Sequence, residues 1–264
     1  MSPVRSPRVV AIIPARYGSH RLPAKPLADV CGKPIIQHVY ERVARAKLVH
    51  AVLVASDDER IASVVRAFGG HAVTTPESLQ SGTDRVGYAA RSLPDADIVV
   101  NIQGDEPLIE PAAVDEAVSP LVHDRSILAG TLVRRIESMS ELTNPGIVKV
   151  VLDRDGNAIY FSRTPIPFAR DLPADQWLNH HTYYKHIGLY VFQREFLCRF
   201  TEMAQTSLER TEKLEQLRIL ENGYRIKCIV TTFDSIPVDT QEDLDTVRGI
   251  ISRKAMTERS HDNE

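Results

Sequence analysis

From Val9 to Thr75, short apolar runs alternate with amphipathic stretches, and this alternation restricts the possible fold more than any other feature of the chain. Val9–Ile13, Ala51–Ala55 and Ala72–Thr75 read as strands. Between them, Ile35, Val39 and Val43 mark one helical stripe, and Ile61, Val64, Val65 and Phe68 a second. Repeated strand–helix–strand units imply right-handed crossovers and a largely parallel sheet with helices packed on it. The punctuation agrees: Pro34 suits a first helical turn, Ser56-Asp57-Asp58 a cap, and Gly69-Gly70 a stop. The expected class is therefore α/β.

A further apolar run, Ile98–Ile102, ends in Gln103-Gly104-Asp105-Glu106-Pro107. Ligands of open α/β sheets sit beyond the carboxyl ends of strands. Gly104 would allow close backbone approach to such a ligand, and Asp105 offers hard oxygens to a cation such as Mg²⁺. The alternative is an ordinary strand-to-turn transition with a solvated acidic pair. The loop after Ile13 carries Arg16, Arg21 and Lys25 among Pro14, Pro23 and Pro26. Cations on a proline-stiffened loop suit a polyphosphate, although a merely solvated basic loop would look the same. Ser81-Gly82-Thr83 then opens a helix with Arg85 in its first turn, which is either a grip on a nucleotide or a plain cap. Neither a Walker A sequence nor G-x-G-x-x-G is present.

The pattern changes from Ile127 onward. Ile127–Arg134 is strand-like, and 148–152 and 158–162 flank Asp155-Gly156 as a hairpin. A proline-bearing stretch then runs from Arg163 to about Tyr183, a candidate lid or dimer contact. In Lys185–Phe192 the residues alternate, with His186, Gly188 and Tyr190 opposite an apolar face. A helix is predicted over 208–220, with Gln216 inside its apolar arc, where a polar group needs a partner. Arg225–Thr232 reads as a strand, and Thr240 with Asp243 as a capping pair, leaving Asp239 over. The expected organisation is one domain over 1–252, with an antiparallel annex at roughly 127–192 and a disordered tail at 253–264.

Composition narrows the partners. The 264 residues are 43% hydrophobic and 25% charged, with a net charge of -3, and the basic residues are dispersed. Nothing here calls for nucleic acid or membrane insertion. The three cysteines are widely spaced, which argues against a disulfide framework or a zinc site and leads us to expect a cytoplasmic protein.

Eight blocks, in order from about residue 9 to 250, resemble the bacterial 3-deoxy-manno-octulosonate (Kdo) cytidylyltransferases. They are Ile12-Ile13-Pro14-Ala15-Arg16-Tyr17, Arg21–Leu27, Gln80–Arg85, Val100–Pro107, Tyr160–Arg163, Lys185–Tyr190, Leu214–Arg218 and Val238-Asp239-Thr240. The resemblance implies a Rossmann-like nucleotide-diphospho-sugar transferase fold, a homodimer, dependence on Mg²⁺, and transfer of CMP from CTP to Kdo for lipopolysaccharide synthesis. It implies that Arg16, Arg21 and Lys25 hold the CTP phosphates and that Ser81, Gly82 and Arg85 seat the cytidine. Asp105 and Asp239 would bind Mg²⁺, with Arg16, Lys25 and Asp105 closest to the chemistry. Gln103, Arg163, His186, Tyr190, Glu215 and Gln216 would surround the sugar acid. Leu79 departs from the family's usual His, and Pro237 from its usual Gly. Other readings are a cytidylyltransferase for 8-amino-Kdo or an acylneuraminate, and a non-catalytic nucleotide-binding protein.

Overall fold

Val9–Ala15 (β1) is buried along its whole length, as a strand covered on both faces must be. The computed structural model describes residues 5–18, 22–234 and 236–261, with side chains to residue 253. After β1 come two short strands, Asp29–Val30 (β2) and Lys33–Pro34 (β3), paired antiparallel. Helix α1 (Ile35–Val43) follows, with Pro34 at its cap rather than in its first turn, then β4 (Ala51–Ser56). Helix α2 (Glu59–Ala67) starts where the Asp58 side chain accepts the Arg60 amide, and it buries Ile61, Ala62 and Val65. Next are β5 (His71–Thr74) and α3 (Gly82–Arg91), the latter capped by Ser81, whose hydroxyl accepts the Asp84 amide at 3.1 Å.

The organising run forms β6 (Ile98–Asn101), every residue of it buried, and helix α4 spans Pro111–His123. The later half contains β7 (Ala129–Arg135), α5 (Met139–Thr143), β8 (Lys149–Leu152), β9 (Ala158–Ser162), α6 (Trp177–His180) and β10 (Tyr184–Gln193). It closes with α7 (Arg194–Phe200), α8 (Ser207–Glu212), α9 (Gln216–Glu221), β11 (Lys227–Val230) and α10 (Gln241–His261). The backbone of α10 is helical to His261, past the point where composition led us to expect a disordered tail.

The chain divides into two compact units. The first comprises Val9–Pro94, Asn101–Ala112 and Ser235–Glu264. Apart from the short β2–β3 pair, its strands run β1-β4-β5 with parallel pairing, the crossover pattern that the sequence predicts. The second comprises Met1–Arg8, Asp95–Val100 and Ala113–Asp234. There β7 pairs antiparallel with β10 and parallel with β11, while β8 pairs antiparallel with both β9 and β10. The α/β class is as expected. The β8–β9 hairpin turns at Gly156 with φ 75°, and the Asp153 carboxylate accepts the amides of Asp155 and Asn157.

One expected element breaks. The helix predicted over 208–220 is two helices, α8 and α9, parted at Lys213 in the left-handed region with φ 56°. The Leu214 amide bonds back to Glu209 O and ends α8. A buried ion pair explains the break: Arg218 Nε donates to Glu209 Oε2 at 2.7 Å. Nine residues along one continuous helix would hold their backbones about 13 Å apart, so the chain must double back for these two groups to meet.

Candidate active site

Strand ends in the first unit converge on a cavity of about 400 Å³. The floor comes from the exits of β1 and β6. The Ile102 amide bonds to Ile12 O at 3.1 Å, and a Cβ on Gly104 would lie 2.8 Å from the carbonyl oxygen of Pro14. Gly104 also lines the cavity, and its missing Cβ lets it pack closely on the β1 backbone at the same time.

Arg16, Lys25, Ser81, Gly82, Arg85, Gln103, Asp105 and Asp239 all line this cavity, and so does Leu79, the departure noted above. Arg21 lies outside the described residues. In the cavity wall, Lys25 Nζ donates to Asp105 Oδ2 at 2.6 Å and to Asp239 Oδ1 at 3.0 Å. Two carboxylates far apart in sequence thus meet at one cationic point. Burial alone would lower the pKa of Lys25, but Asp105 and then Asp239 outweigh it and hold the ammonium above its ordinary value. The backbone fixes the pair as well, because the Val238 amide bonds to Asp105 O at 2.8 Å. Lys25 begins a single 3₁₀ turn, and Ala24 before it sits at φ 52°, a conformation rare for a residue with a Cβ.

The cavity wall is braced from behind. Arg85 is only 4% exposed; its Nη2 donates to Asp57 Oδ2 at 2.6 Å and its Nη1 to the Thr75 hydroxyl. Its charge is thereby matched within the protein, which makes it a fixed wall more than a free phosphate ligand. Asn101, at the end of β6, donates to Thr83 Oγ1 in the first turn of α3 at 3.2 Å. The sequence reading did not single out Asp57. The available signal was surplus: α2 needs one capping carboxylate, and Asp58 supplies it. Arg16 is exposed at the cavity rim.

The residues that resemblance assigns to the sugar, apart from Gln103, lie in the second unit. The His186 and Tyr190 rings pack against each other at a tilt of 41°, with centroids 5.1 Å apart. His186 Nε2 lies 2.9 Å from Thr131 Oγ1, and Thr131 also reaches Leu189 O at 2.7 Å. With the hydroxyl donating to that carbonyl, the imidazole is neutral and donates from Nε2; burial lowers its pKa to about 3. The Tyr190 hydroxyl is buried without a partner, and burial, then Glu215, pushes its pKa up. Arg163 Nε donates to Glu212 O at 2.8 Å, its Nη1 to Pro145 O, and its Nη2 to Lys213 O. Gln216 is buried at the start of α9, next to Glu215. The stretch read as a lid or dimer contact is anchored within this unit: Trp177 Nε1 donates to Leu172 O and the Tyr183 hydroxyl to Pro167 O.

Asp105 and Asp239 also fit a divalent ion. Mg²⁺ takes one or two carboxylates and fills its remaining positions with water and substrate phosphate. Among the described residues, no three His, Cys, Asp or Glu side chains gather as a self-sufficient metal site. Such a pair would hold the ion only with oxygens from a bound nucleotide or water.

A cavity beyond parallel strand ends, with cations and a carboxylate pair in its wall, belongs to the class of nucleotide-handling α/β proteins. The cytidylyltransferase family model matches residues 10–227. The 3-deoxy-manno-octulosonate cytidylyltransferase of Geobacter metallireducens is 55% identical over 251 residues, covering 93% of this chain and 98% of the relative. That of Geotalea daltonii is 55% identical, covering 91% and 96%. A solved CMP:2-keto-3-deoxy-manno-octonic acid synthetase complexed with CTP superposes with a TM-score of 0.87 at 40% identity, covering 94% of this chain and 99% of that one. A 4-diphosphocytidyl-2C-methyl-D-erythritol synthase from Anaerococcus prevotii shares the fold at 15% identity, with a TM-score of 0.61. The chain belongs to the cytidylyltransferase family and, within it, to the 3-deoxy-manno-octulosonate cytidylyltransferases.

Proposed function

We propose that this enzyme transfers CMP from CTP to the anomeric hydroxyl of Kdo, releasing pyrophosphate and supplying CMP-Kdo for lipopolysaccharide synthesis. The observation that carries the reading is the 55% identity to a named Kdo cytidylyltransferase across 93% of the chain. We further propose that it works as a homodimer in the cytoplasm. Among the described residues, no helix is long and apolar enough to cross a membrane.

Nucleotidyl transfer needs alignment and charge neutralisation more than a protein nucleophile. Arg16 and Lys25 supply positive charge at the triphosphate, and Ser81 and Gly82 present the start of α3 to the nucleotide. Arg85, held by Asp57 and Thr75, gives the cytidine end a rigid wall. Asp105 and Asp239 would hold Mg²⁺, which when bound polarises the α-phosphate and neutralises developing charge. On the sugar side, neutral His186 and the unpartnered Tyr190 hydroxyl of the second unit offer hydrogen bonds to substrate hydroxyls, with Glu215 and Gln216 as further partners. Arg163 favours the acid's carboxylate by charge and by holding the end of α8. The anomeric oxygen attacks the α-phosphorus in line as the bond to pyrophosphate breaks.

Pyrophosphate release with CTP, Mg²⁺ and Kdo tests the reading, alongside UTP, 8-amino-Kdo and N-acetylneuraminate. Release with CTP and Kdo well above every other combination is the expected result. Faster release with another acid would replace the acceptor, and no release with any would leave a nucleotide-binding protein.

A further inference from the structure

The Lys25 ammonium stands at the place where the carboxylates of Asp105 and Asp239 meet, 2.6 and 3.0 Å from one oxygen of each. Those are the two carboxylates proposed above to hold the divalent ion. An ammonium held at such distances fills the space between the two carboxylates, and two cations in contact repel strongly where water is partly excluded. Either the lysine or the metal can hold the pair at one time.

We propose that Lys25 is the resident counter-ion of the carboxylate pair in the free enzyme, and that the triphosphate draws it away. The divalent ion then enters with the nucleotide rather than before it. This inference rests on the metal reading of Asp105 and Asp239 and adds the order of binding.

Charge balance favours the exchange. With Lys25 in place, the three groups sum to one negative charge, half of what the two carboxylates carry alone. Without Lys25 the pair would carry two, a strong attraction for any divalent ion. The polyphosphate offers Lys25 a competing anion, because the same side chain lines the cavity with Arg16, Ser81 and Gly82. The backbone is primed for such a move. Ala24, directly before Lys25, is held at φ 52°, a conformation that a residue with a Cβ rarely adopts and that persists only while its surroundings enforce it. If Lys25 occupies the pair in nine of ten free molecules, apparent metal affinity is weakened about tenfold.

The test is Mn²⁺ binding, followed by the paramagnetic resonance of the free ion, with and without α,β-methylene-CTP. Wild type, Lys25→Met, Lys25→Gln and Asp105→Asn are compared. Without nucleotide, both lysine variants should bind Mn²⁺ about tenfold tighter than wild type, which should gain its affinity only when the analogue is added. Lysine variants that bind Mn²⁺ no tighter than wild type overturn the exchange, provided Asp105→Asn still weakens the complex with analogue. If Asp105→Asn leaves that complex unchanged, the metal reading fails and the exchange falls with it. Wild type alone gives an arm that needs no variant to fold. Thermal protection by Mn²⁺ only in the presence of the analogue supports the proposal, and equal protection by Mn²⁺ alone overturns it.

Discussion

The carboxylate of Asp57 lies 2.6 Å from the guanidinium of Arg85, and the two side chains are 16% and 5% exposed. Asp57 directly follows β4 and Arg85 lies in the first turn of α3, so the pair ties the exit of one element to the entry of another. Removing one partner leaves a buried charge unmatched. Asp57→Ala should therefore destabilise the protein by about 3 kcal/mol, read from the urea midpoint at constant m. Adding Arg85→Met to that variant should recover part of the loss. Strict additivity of the two substitutions would show that the pair is not coupled.

Lys25 faces the reacting phosphates in the proposed mechanism. Lys25→Met should lower kcat about 10²–10³-fold, the scale for losing one preorganised donor to a transition state. Asp105→Asn should abolish the rise of pyrophosphate release with Mg²⁺ concentration. Near-normal turnover in Lys25→Met would remove that side chain from the chemistry.

Gly104→Ala places a methyl group 2.8 Å from the Pro14 carbonyl oxygen, and the β1 backbone that carries it cannot yield cheaply. A loss of about 1–3 kcal/mol is expected, on the scale of overpacking, together with a raised KM for CTP because Gln103 and Asp105 flank the shifted residue. Unchanged stability would mean that the β6 exit is softer than its contacts imply.

His186 gives the protein an acid-side dependence. Burial holds its folded pKa at about 3, against 6.5 in the unfolded chain. Unfolded molecules therefore take up a proton that folded ones refuse, so the contribution of His186 is complete above pH 6.5 and lost as pH falls toward 3. Across that window His186→Gln should flatten the slope of unfolding free energy by up to about 1.4 kcal/mol per pH unit. Parallel slopes for variant and wild type would show that the imidazole titrates normally.

Where local pattern decides structure, the chain was readable in advance. Ala51–Ala55 became Ala51–Ser56, and the turn at Asp155-Gly156 fell between β8 and β9, because burial period and turn chemistry both act over a few residues. The α8–α9 break was not readable. Lys213 carries no local stop signal, and the Glu209–Arg218 pair that demands the reversal is a tertiary contact. The site divides the same way. Arg16, Lys25 and Ser81 could be picked out as charged or capping residues on loops, and Asp105 by its strand end. Asp239 showed only as a carboxylate that capping left unused, and the meeting of Asp105 and Asp239 at Lys25 belongs to the folded chain alone. The brace on Arg85 was hidden because Asp57 adjoins the aspartate that caps α2.

The bond from the Val238 amide to Asp105 O means that the second carboxylate arrives on a segment made long after the first. Val238 is buried, as are Leu244 and Val247 on the helix that follows, so the segment that delivers Asp239 also completes the core of the first unit. The acidic clasp therefore closes only when the last stretch of the chain has packed into place.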